Sequence, residues 1–465
     1  MTRSIPSVSA RWHIAETVAT AQKEDSALRA PSFSEAFRFW LKLGFISFGG
    51  PTGQIAIMQT ELVDRKRWIS QSRFLHALNY CMLLPGPEAQ QLAIYIGWLL
   101  HKTAGGIAAG ALFVIPSIFV LWALSYVYVT YGSVPWVAAI FYGLKPVVVA
   151  IVVAAVIRIG GKALKNEVMW TIAGLAFVAI FFLKMPFPAI IFGAGIVGLI
   201  GGRLWKSKFD VISSKNGGKN LESDAESSVI DDEDAPPEHT EPSFARALRI
   251  SSVCLAVWWI PVLLVAVLLG TDHTIFREGI FFSKAAVVTF GGAYAVLPYV
   301  AQRAVEDFGW LKPGQMMDGL GLAETTPGPL IMVLQFVGFM GGWNQPGTLH
   351  PLVAATLGAL LTTWVTFTPC FLWVFLGGPH IEQLRGNKTI SMALSAITAA
   401  VVGVILNLSI WFALHVFYPQ GVAIDWFALA LSVSALIVMV RWKVEIIPVI
   451  VSGGILGLIY KAISL

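Results

Sequence analysis

Long apolar runs follow one another along the chain from about residue 33 to its end. A transmembrane helix needs about 20 such residues at a rise of about 1.5 Å per residue. The runs predict about six spans in the first half, near 36–59, 74–101, 105–131, 134–158, 168–184 and 186–203. They predict about seven in the second, near 249–270, 276–301, 316–342, 351–377, 389–416, 425–441 and 444–463. The predicted fold class is all-α, a polytopic transmembrane helical bundle of about 13 spans.

Two polar segments interrupt the apolar pattern. Residues 1–32 form a polar N-terminal segment without the apolar core of a signal peptide, so we expect the first spanning helix to direct insertion. Residues 205–245 contain ten of the 27 acidic residues and a Pro-Pro pair. This composition offers little to bury and predicts a disordered acidic linker. The linker separates a first unit, 33–204, from a second, 246–465, which has one extra leading helix.

Composition supports the membrane assignment. Of the 465 residues, 56% are hydrophobic and 13% are charged, whereas a soluble domain carries about 25% charged residues. The mean hydropathy is +0.72. These values exclude a soluble nucleic-acid-binding protein and a secreted disulfide scaffold. The three cysteines form no CxxC pair, so we predict no metal site and no disulfide framework.

The two units repeat one another at a fixed offset of 242 residues. The segment Lys42–Gly50 (KLGFISFGG) corresponds to Lys284–Gly292 (KAAVVTFGG). Ten of the 46 positions from 42 to 87 are identical, and Trp68 matches Trp310. The register slips after the matching Pro-Gly-Pro sequences, which are Pro85, Gly86 and Pro87 in the first unit and Pro327, Gly328 and Pro329 in the second. Internal repeats are typical of secondary transporters, whose substrate site lies between the repeats.

The span count predicts that the two repeats have inverted orientations. Seven crossings separate Lys42 from Lys284, and an odd number turns the second repeat upside down. With a cytoplasmic N-terminus, 22 of the 29 basic residues outside spans are cytoplasmic and seven are not, as the positive-inside rule requires. The N-terminus and the central linker are therefore expected in the cytoplasm. Four of the seven exceptions lie in one loop, 65–73, and re-entrant hairpins around the Pro-Gly-Pro sequences would change this topology.

Three lysines inside predicted spans are candidate substrate-binding residues. A charge at the bilayer centre costs about 2.5–3.5 kcal/mol on insertion scales, so such residues are functional candidates. Lys42 and Lys284 occupy equivalent positions, and Lys145 lies deeper in its span. The alternatives are that Lys42 and Lys284 extend to the interface and that Lys145 pairs with a carboxylate such as Glu88.

The glycine pairs predict broken helices at membrane depth. Gly49 and Gly50 precede Pro51, which removes a helical hydrogen bond, and Gly291 and Gly292 are their counterparts. A discontinuous helix leaves free N–H groups and a positive dipole end, which favour an anion. Close helix packing through small residues is the alternative. The hydroxyl groups beside the breaks are further candidate donors to the anion, and they belong to Thr52, Thr325 and Thr326.

The Pro-Gly-Pro sequences predict stronger breaks, which we assign to gating or coupling. Irregular backbone at this depth survives only where it is buried in protein or lines a wet cavity, although a structural kink is the alternative. Glu88 and Glu324 flank the two sequences on opposite sides. A carboxylate there can exchange a proton during transport or act as the counter-ion of a lysine.

No sequence motif of an ATPase, a metalloprotease or a serine hydrolase is present. We therefore predict a protein without catalytic activity and without a cofactor. Transport would have to be driven by an ion gradient or by the membrane potential.

The combination of motifs resembles the chromate ion transporter family in its long form, with two fused homologous halves. It consists of Phe48-Gly-Gly-Pro51, the run LPGPEAQQLA at 84–93, and the second Phe-Gly-Gly with Thr326-Pro-Gly-Pro329. The resemblance implies a prokaryotic inner-membrane protein that transports the chromate dianion, often by efflux that gives resistance. Ala293 replaces Pro51 in the second half, so we expect the substrate mainly with the first.

Several alternatives remain open. Sulfate resembles chromate in size and charge, so the sequence does not separate these substrates, nor efflux from uptake. An anion channel and a membrane-embedded lipid-modifying enzyme, with Asp64 and the loop 65–73 as its polar cluster, are the rival functions. Membrane lipid is an expected partner, a homodimer is left open, and no nucleic acid is expected.

Overall fold

A computed structural model describes residues 30–48, 50–209, 229–230, 243–290, 292–380, 388–419 and 423–464. Within these ranges the regular structure is helical throughout, which confirms the predicted all-α class. Seven of the described helices are long and apolar enough to cross a membrane, and three shorter ones are apolar.

The helices are numbered in chain order. The first repeat contains α1 (Phe33–Ile46), α2 (Gly50–Gln59), α3 (Gln71–Cys81), α4 (Glu88–Tyr131), α5 (Pro135–Ala163), α6 (Glu167–Phe181), α7 (Phe187–Leu204) and the short α8 (Lys206–Phe209). The second contains α9 (Phe244–Leu269), α10 (Thr274–Val288), α11 (Ala293–Gln302), α12 (Pro313–Thr325), α13 (Val333–Asn344), α14 (Pro351–Gly377), α15 (Lys388–Phe417), α16 (Trp426–Arg441) and α17 (Ile446–Ser464).

The helices α1 and α2 form a hairpin, where the sequence predicted one span over 36–59. The chain breaks between them and then returns, because the Nζ atom of Lys66 lies 3.6 Å from a carboxylate oxygen of Glu35. The rings of Phe39 and Trp68 also meet, at a centroid distance of 5.3 Å. Both ends of the hairpin therefore lie on the same side of the bundle.

A second hairpin replaces the span predicted over 74–101. Its first arm is α3, its tip is the Pro-Gly-Pro sequence, and its second arm is residues 88–100 of α4. The helix α4 is interrupted by non-helical backbone at His101 and Lys102. Beyond this point the arm 103–131 runs back alongside the arm 88–100, since Gly105 packs directly against Gly97.

The second repeat has the same two hairpins, α10–α11 and α12–α13. The rings of Phe281 and Trp310, which correspond to Phe39 and Trp68, meet at 5.7 Å. Both α2 and α11 end in a π-helical turn, Thr60–Arg65 and Arg303–Asp307. The repeat predicted from sequence is therefore present at the level of local backbone geometry.

The two repeats are inverted. Their equivalent long helices, the arm 103–131 of α4 and α14, run antiparallel, because Gly110 packs on Phe371 while Trp122 Nε1 donates to Thr356 Oγ1 at 3.1 Å. Two of the spans predicted in each repeat are hairpins, which enter and leave on the same side and are not crossings. The number of crossings between Lys42 and Lys284 therefore falls by two and stays odd. By this geometry nine of the described segments are laid out as full crossings, fewer than the predicted 13 or so, and the number of spans stays a prediction.

The basic loop 65–73 lies on the side of the central linker. The amide of Val229 donates to the Arg67 carbonyl at 3.0 Å, and the amide of Ser70 donates to the Ile230 carbonyl at 3.1 Å. The prediction that this loop faces the opposite side was therefore wrong. The four basic residues of this loop are therefore counted on the linker side. Arg303 and Lys312, in the equivalent loop of the inverted second repeat, are counted on the other side. The distribution of basic residues changes from 22 and seven to 24 and five.

The predicted linker begins later than residue 205. The helix α8 continues the first unit, and Phe209 is buried against Gly201 of α7. Most of the remaining residues of 205–245, and residues 1–29, lie outside the described ranges, so their predicted disorder stays a prediction. The extra leading helix α9 has only Trp258 and Val262 buried, as expected for a helix at the lipid-facing edge of the bundle.

Candidate functional site

The Pro-Gly-Pro sequence of each repeat is bound to the helix break of the other. The amide of Gly86 donates to the carbonyl of Thr289 at 2.8 Å, and the amide of Gly328 donates to the carbonyl of Ser47 at 2.7 Å. The two bonds are equivalent under the offset of 242 residues. Both glycines have positive φ, +121° and +97°, which favours glycine over residues with a side chain. The four breaks thus meet in two cross-repeat junctions.

The junction of the first Pro-Gly-Pro sequence with the second glycine pair contains the charged groups. Gly292 is the N-cap of α11, has a φ of +91°, and has no side chain that could accept a hydrogen bond from the first N–H groups of the helix. The first N–H groups of a helix have no partner within it, so this end attracts negative charge. Glu88 supplies a carboxylate beside this end, because its Oε1 atom lies 3.7 Å from the position that a Cβ atom on Gly292 would take.

A second carboxyl group lies close to the same helix end. The hydroxyl of Tyr294, in the first turn of α11, donates to Oε1 of Glu324 at 2.5 Å. Glu324 is 6% exposed. Glu88 and Glu324, which the sequence placed beside different breaks, are therefore both associated with the second glycine pair.

Two cations on α5 face this carboxyl pair. Arg158 interacts electrostatically with Glu324 and Tyr294, and Lys162 with Glu88. Arg158 and Lys162 are four residues apart, which places them on one face of the helix, and both are exposed. Neither lies in an ion pair with a described residue. Two exposed cations therefore lie within electrostatic range of the carboxyl pair at the charged junction.

The other junction is neutral and its backbone groups are satisfied. The hydroxyl of Ser117 donates to the carbonyl of Pro327 at 2.6 Å. The side-chain amide of Gln54 donates to the carbonyl of Gly328 at 2.5 Å. Under the repeat offset, Leu330 and Met82 stand where the charged junction has Glu88 and Glu324. The expectation that the substrate lies mainly with the first glycine pair does not fit this distribution of charge.

Lys145 is paired on the opposite side of the bundle from Arg158 and Lys162. Its Nζ atom lies 3.6 Å from Oδ2 of Asp318, and that carboxylate also accepts a hydrogen bond from Tyr128 at 2.9 Å. Lys145 is thus paired with a carboxylate, as the alternative had it, but the partner is Asp318 and not Glu88. Lys145 is adjacent to Gly314, at the start of α12. It therefore lies at the open end of the hairpin α12–α13, away from the Pro-Gly-Pro sequence at the tip of this hairpin.

Lys42 and Lys284 are not brought to the junctions. Both are exposed, and no ion pair joins either of them to another described residue. On α1 the buried positions next to Lys42 are Leu43 and Gly44, so the lysine lies on the side of the helix that turns away from the bundle. This placement favours the alternative in which both lysines extend to the interface.

The predicted hydroxyl donors are engaged within their own helix. Thr325 Oγ1 donates to the Leu322 carbonyl at 2.7 Å, and Thr326 Oγ1 donates to the Ala323 carbonyl at 2.9 Å. In this conformation neither is available to an anion. Gly49, Gly291 and the side chain of Thr52 lie outside the part of the chain that the structure describes.

Arg158, Lys162, Tyr294 and Asp318 were not identified from the sequence. Arg158 and Lys162 were placed at the end of a span and treated as orientation signals only. Asp318 is an acidic residue inside an apolar run, so the rule that selected the lysines would also have selected it. Tyr294 carried no signal, because its role depends on the position of Glu324.

Comparison with known proteins identifies the relatives of the chain. The model of the chromate transporter family matches residues 34–199 and 277–458, one region in each repeat. The chromate transport protein of Cupriavidus metallidurans is 27% identical over 435 residues, which cover 92% of this chain and 94% of that protein. The chromate transport protein of Pseudomonas aeruginosa is 28% identical over 438 residues, 92% of each chain. No solved structure matches the chain.

Proposed function

The chain belongs to the chromate transporter family, and from this premise we propose that it is a secondary transporter of chromate. Both relatives named above are chromate transport proteins and align with nearly all of this chain. Chromate is a tetrahedral dianion, so a site for it must supply positive charge and hydrogen-bond donors away from bulk water.

The position of Glu88 carries the proposal. Its carboxylate lies at the uncapped N-terminus of α11, which is where an anionic substrate would bind. We assign Arg158 and Lys162 to the entry of the site, because they are exposed, cationic and within electrostatic range of the carboxyl pair. An arriving dianion would be attracted by these cations and would replace Glu88 at the helix end.

The position of Lys145 supports a proposal of alternating access. The charged junction is approached from the side of Arg158 and Lys162, while the network of Lys145, Asp318 and Tyr128 joins α5, α12 and α4 on the other side. In the proposed cycle this network separates when the site opens to the second side. The glycines of the two junctions supply the backbone freedom for that movement.

The direction proposed is efflux across the inner membrane. The distribution of basic residues, 24 against five, supports a cytoplasmic N-terminus and linker, so Arg158 and Lys162 face the cytoplasm. An inside-negative potential favours outward movement of a dianion by about 4.6 kcal/mol per 100 mV, twice the value for one charge. The membrane potential or the proton gradient is the proposed driving force. Membrane lipid is the proposed surrounding partner, and a homodimer remains a proposal.

The test is ion flux in vesicles of known orientation that contain the purified protein. Chromate and sulfate fluxes are measured while pH and voltage are clamped in turn. Accumulation of chromate against its own electrochemical gradient would support coupling to protons. A flux that never exceeds that gradient would leave the membrane potential as the driving force or indicate a channel. Preference for sulfate would reassign the substrate, since the two dianions share size and charge. Absence of flux for both would refute the transport proposal and return the membrane-embedded enzyme to consideration.

A further inference from the structure

Glu278 is a fully buried acidic residue that belongs to neither junction. It lies in the second turn of α10 and is 0% exposed. Its carboxyl group fills the space between α13 and α14 that side chains at Gly341 and Gly358 would need, with Oε2 2.6 Å from the position of a Cβ atom on Gly358. Trp310 forms a further part of this pocket. The two glycines thus create room for a carboxyl group inside the tightest helix packing of the second repeat.

Neither oxygen of this carboxyl group has a hydrogen-bond partner among the described residues. Unpaired buried carboxylate anions are so unfavourable that such groups take up a proton instead. Both oxygens are enclosed by α13 and α14, because Cβ atoms at Gly341 and Gly358 would overlap them. A neutral, protonated carboxylic acid fits this enclosure without a partner cation.

No cation on the surrounding elements can compensate a charge on Glu278. The helix α13 has no titratable residue, and on α14 the titratable side chain is Cys370, twelve residues beyond Gly358. None of the other titratable groups on α9, on α10, in the loop before α12 or at the start of α14 bonds to the carboxyl oxygens of Glu278. They are Arg246, Arg249, Cys254, Asp272, His273, Arg277, Lys284, Arg303, Glu306, Asp307, Lys312 and His350. Of these, Arg277 is exposed and paired with Asp272, and Lys284 and Lys312 are exposed.

The fold itself does not require an acid at this position. Under the repeat offset Ala36 stands on α1 where Glu278 stands on α10, and Ala36 is buried in the same type of hairpin. The equivalent element of the first repeat is thus built with an apolar residue at this position. A second polar atom on the same helix seam, Oγ1 of Thr362, is also without a partner, and it lies against Gly338 of α13. Two unsatisfied groups at one seam indicate that α13 and α14 adopt a second arrangement in which these groups are satisfied.

We propose that Glu278 is a proton-binding site of the transport cycle, protonated in this conformation and deprotonated when α13 moves relative to α14. This inference rests on the proposed transport function. The mechanical link is α10, which runs from Glu278 to Thr289 at the charged junction, eleven residues or about 16 Å away. The seam also leads to the second Pro-Gly-Pro sequence, which precedes α13. Release of the proton would thus accompany movement of both the helix that ends at the site and the hairpin that closes it.

The first measurement does not depend on transport. Infrared difference spectra of the full-length protein in lipid, recorded between acidic and alkaline pH, should contain the carbonyl band of a protonated carboxylic acid. Glu278→Gln should remove the part of this band at the highest frequency, where a carboxylic acid without a hydrogen-bond partner absorbs, whereas Glu306→Gln should keep it. Glu306 is the matched control because it is exposed and lies in the same repeat, and its contact with Trp411 Nε1 survives in the amide. A band of equal size in Glu278→Gln would overturn the assignment.

The second measurement separates proton coupling from anion movement, with sulfate as the probe because it does not titrate near neutral pH. With one proton per anion, a gradient of one pH unit supports about a tenfold accumulation. Glu278→Gln mimics the protonated acid, so it should lose this accumulation and retain sulfate exchange at equal pH. Retained accumulation, or loss of exchange together with accumulation in a variant that reaches the membrane in normal amount, would overturn the proposal. If wild-type protein carries neither sulfate nor chromate, the transport function fails while the infrared test of the proton site still stands.

Discussion

The Nζ atom of Lys145 lies 3.6 Å from Oδ2 of Asp318, across the boundary between the two repeats. The aspartate side chain is 5% exposed and the lysine side chain 31% exposed, so the acid is the desolvated partner. Tyr128, from the long arm of α4, donates to the same oxygen. A charge in the first repeat thus stabilises a buried charge on a hairpin of the second.

Lys145→Met should destabilise the protein by about 3 kcal/mol, because removing one partner leaves a buried carboxylate uncompensated. Thermal unfolding in detergent measures this loss. Adding Asp318→Asn to Lys145→Met should recover most of it, since the double variant has no isolated charge. Arg277→Met is the control, because Arg277 pairs with an exposed aspartate and exposed pairs contribute about 0–1 kcal/mol. If Lys145→Met and Arg277→Met reduced the stability by the same amount, the pair of Lys145 and Asp318 would not be structurally important.

The exposed lysines and the cations of α5 should respond differently to substitution. Lys42→Met and Lys284→Met should leave chromate affinity close to wild type, because both side chains are exposed and away from the junctions. Arg158→Met and Lys162→Met should each weaken chromate binding, by about 1 kcal/mol or more, as expected for lost attraction in a partly hydrated site. Affinity is measured by competition with labelled sulfate in detergent. The reverse pattern would return the substrate to Lys42 and Lys284.

The repeat and the all-helical class could be predicted from the sequence, whereas the path of the chain could not. Hydropathy measures how apolar a segment is, and a helix that stops at residue 46 and returns has the same composition as one that continues to residue 59. The glycine pairs and the Pro-Gly-Pro sequences marked the correct break points. The concentration of basic residues at 65–73 was the signal that the chain reverses there, because it contradicted the topology that single spans gave.

The candidate site was less accessible from sequence because burial is a tertiary property. Lys42 and Lys284 satisfy the rule for intramembrane charges, yet their side chains are exposed. Asp318 and Glu278 satisfy the same rule and are buried, which no local pattern separates from the lysines. The cross-repeat bonds, from Gly86 to Thr289 and from Gly328 to Ser47, join residues 203 and 281 positions apart and leave no periodic trace in the sequence.

Cysteine labelling tests the inverted arrangement. Asp64 and Glu306 are exposed equivalents in the two π-helical hairpin ends, so cysteines placed there should react with an impermeant thiol reagent from opposite faces of the membrane. The three native cysteines are first replaced, although Cys81 and Cys370 are buried. Cytoplasmic labelling is expected at position 64. Reaction of both positions from one face would refute the inversion.

Gly328→Ala should disrupt the neutral junction. A methyl group at this position would collide with Ser117, and the residue has a φ of +97°, which a non-glycine residue adopts only with strain of about 1–3 kcal/mol. We expect a loss of folded protein in the membrane, measured by size-exclusion chromatography of a fluorescent fusion. Gly174→Ala is the control, because nothing lies within 4 Å of its added methyl group and alanine favours a helix by up to about 1 kcal/mol over glycine. Normal yield of Gly328→Ala would mean that the junction tolerates rearrangement.

Glu88→Gln tests whether this carboxylate competes with the substrate for the N-terminus of α11. Protonation removes the negative charge of Glu88, so in the wild type sulfate should bind more tightly as pH falls. Glutamine has nearly the same shape and no charge, so the variant should bind sulfate tightly at every pH and lose most of this dependence. Its release of the anion should be slower, because no carboxylate remains to displace it. Sulfate is the suitable ligand because its own charge does not change near neutral pH, whereas that of chromate does. Glu306→Gln serves as the control for a carboxylate outside the site. If Glu88→Gln keeps the wild-type pH profile of affinity, Glu88 does not compete with the anion, and its contact with Gly292 is a structural interaction between the repeats.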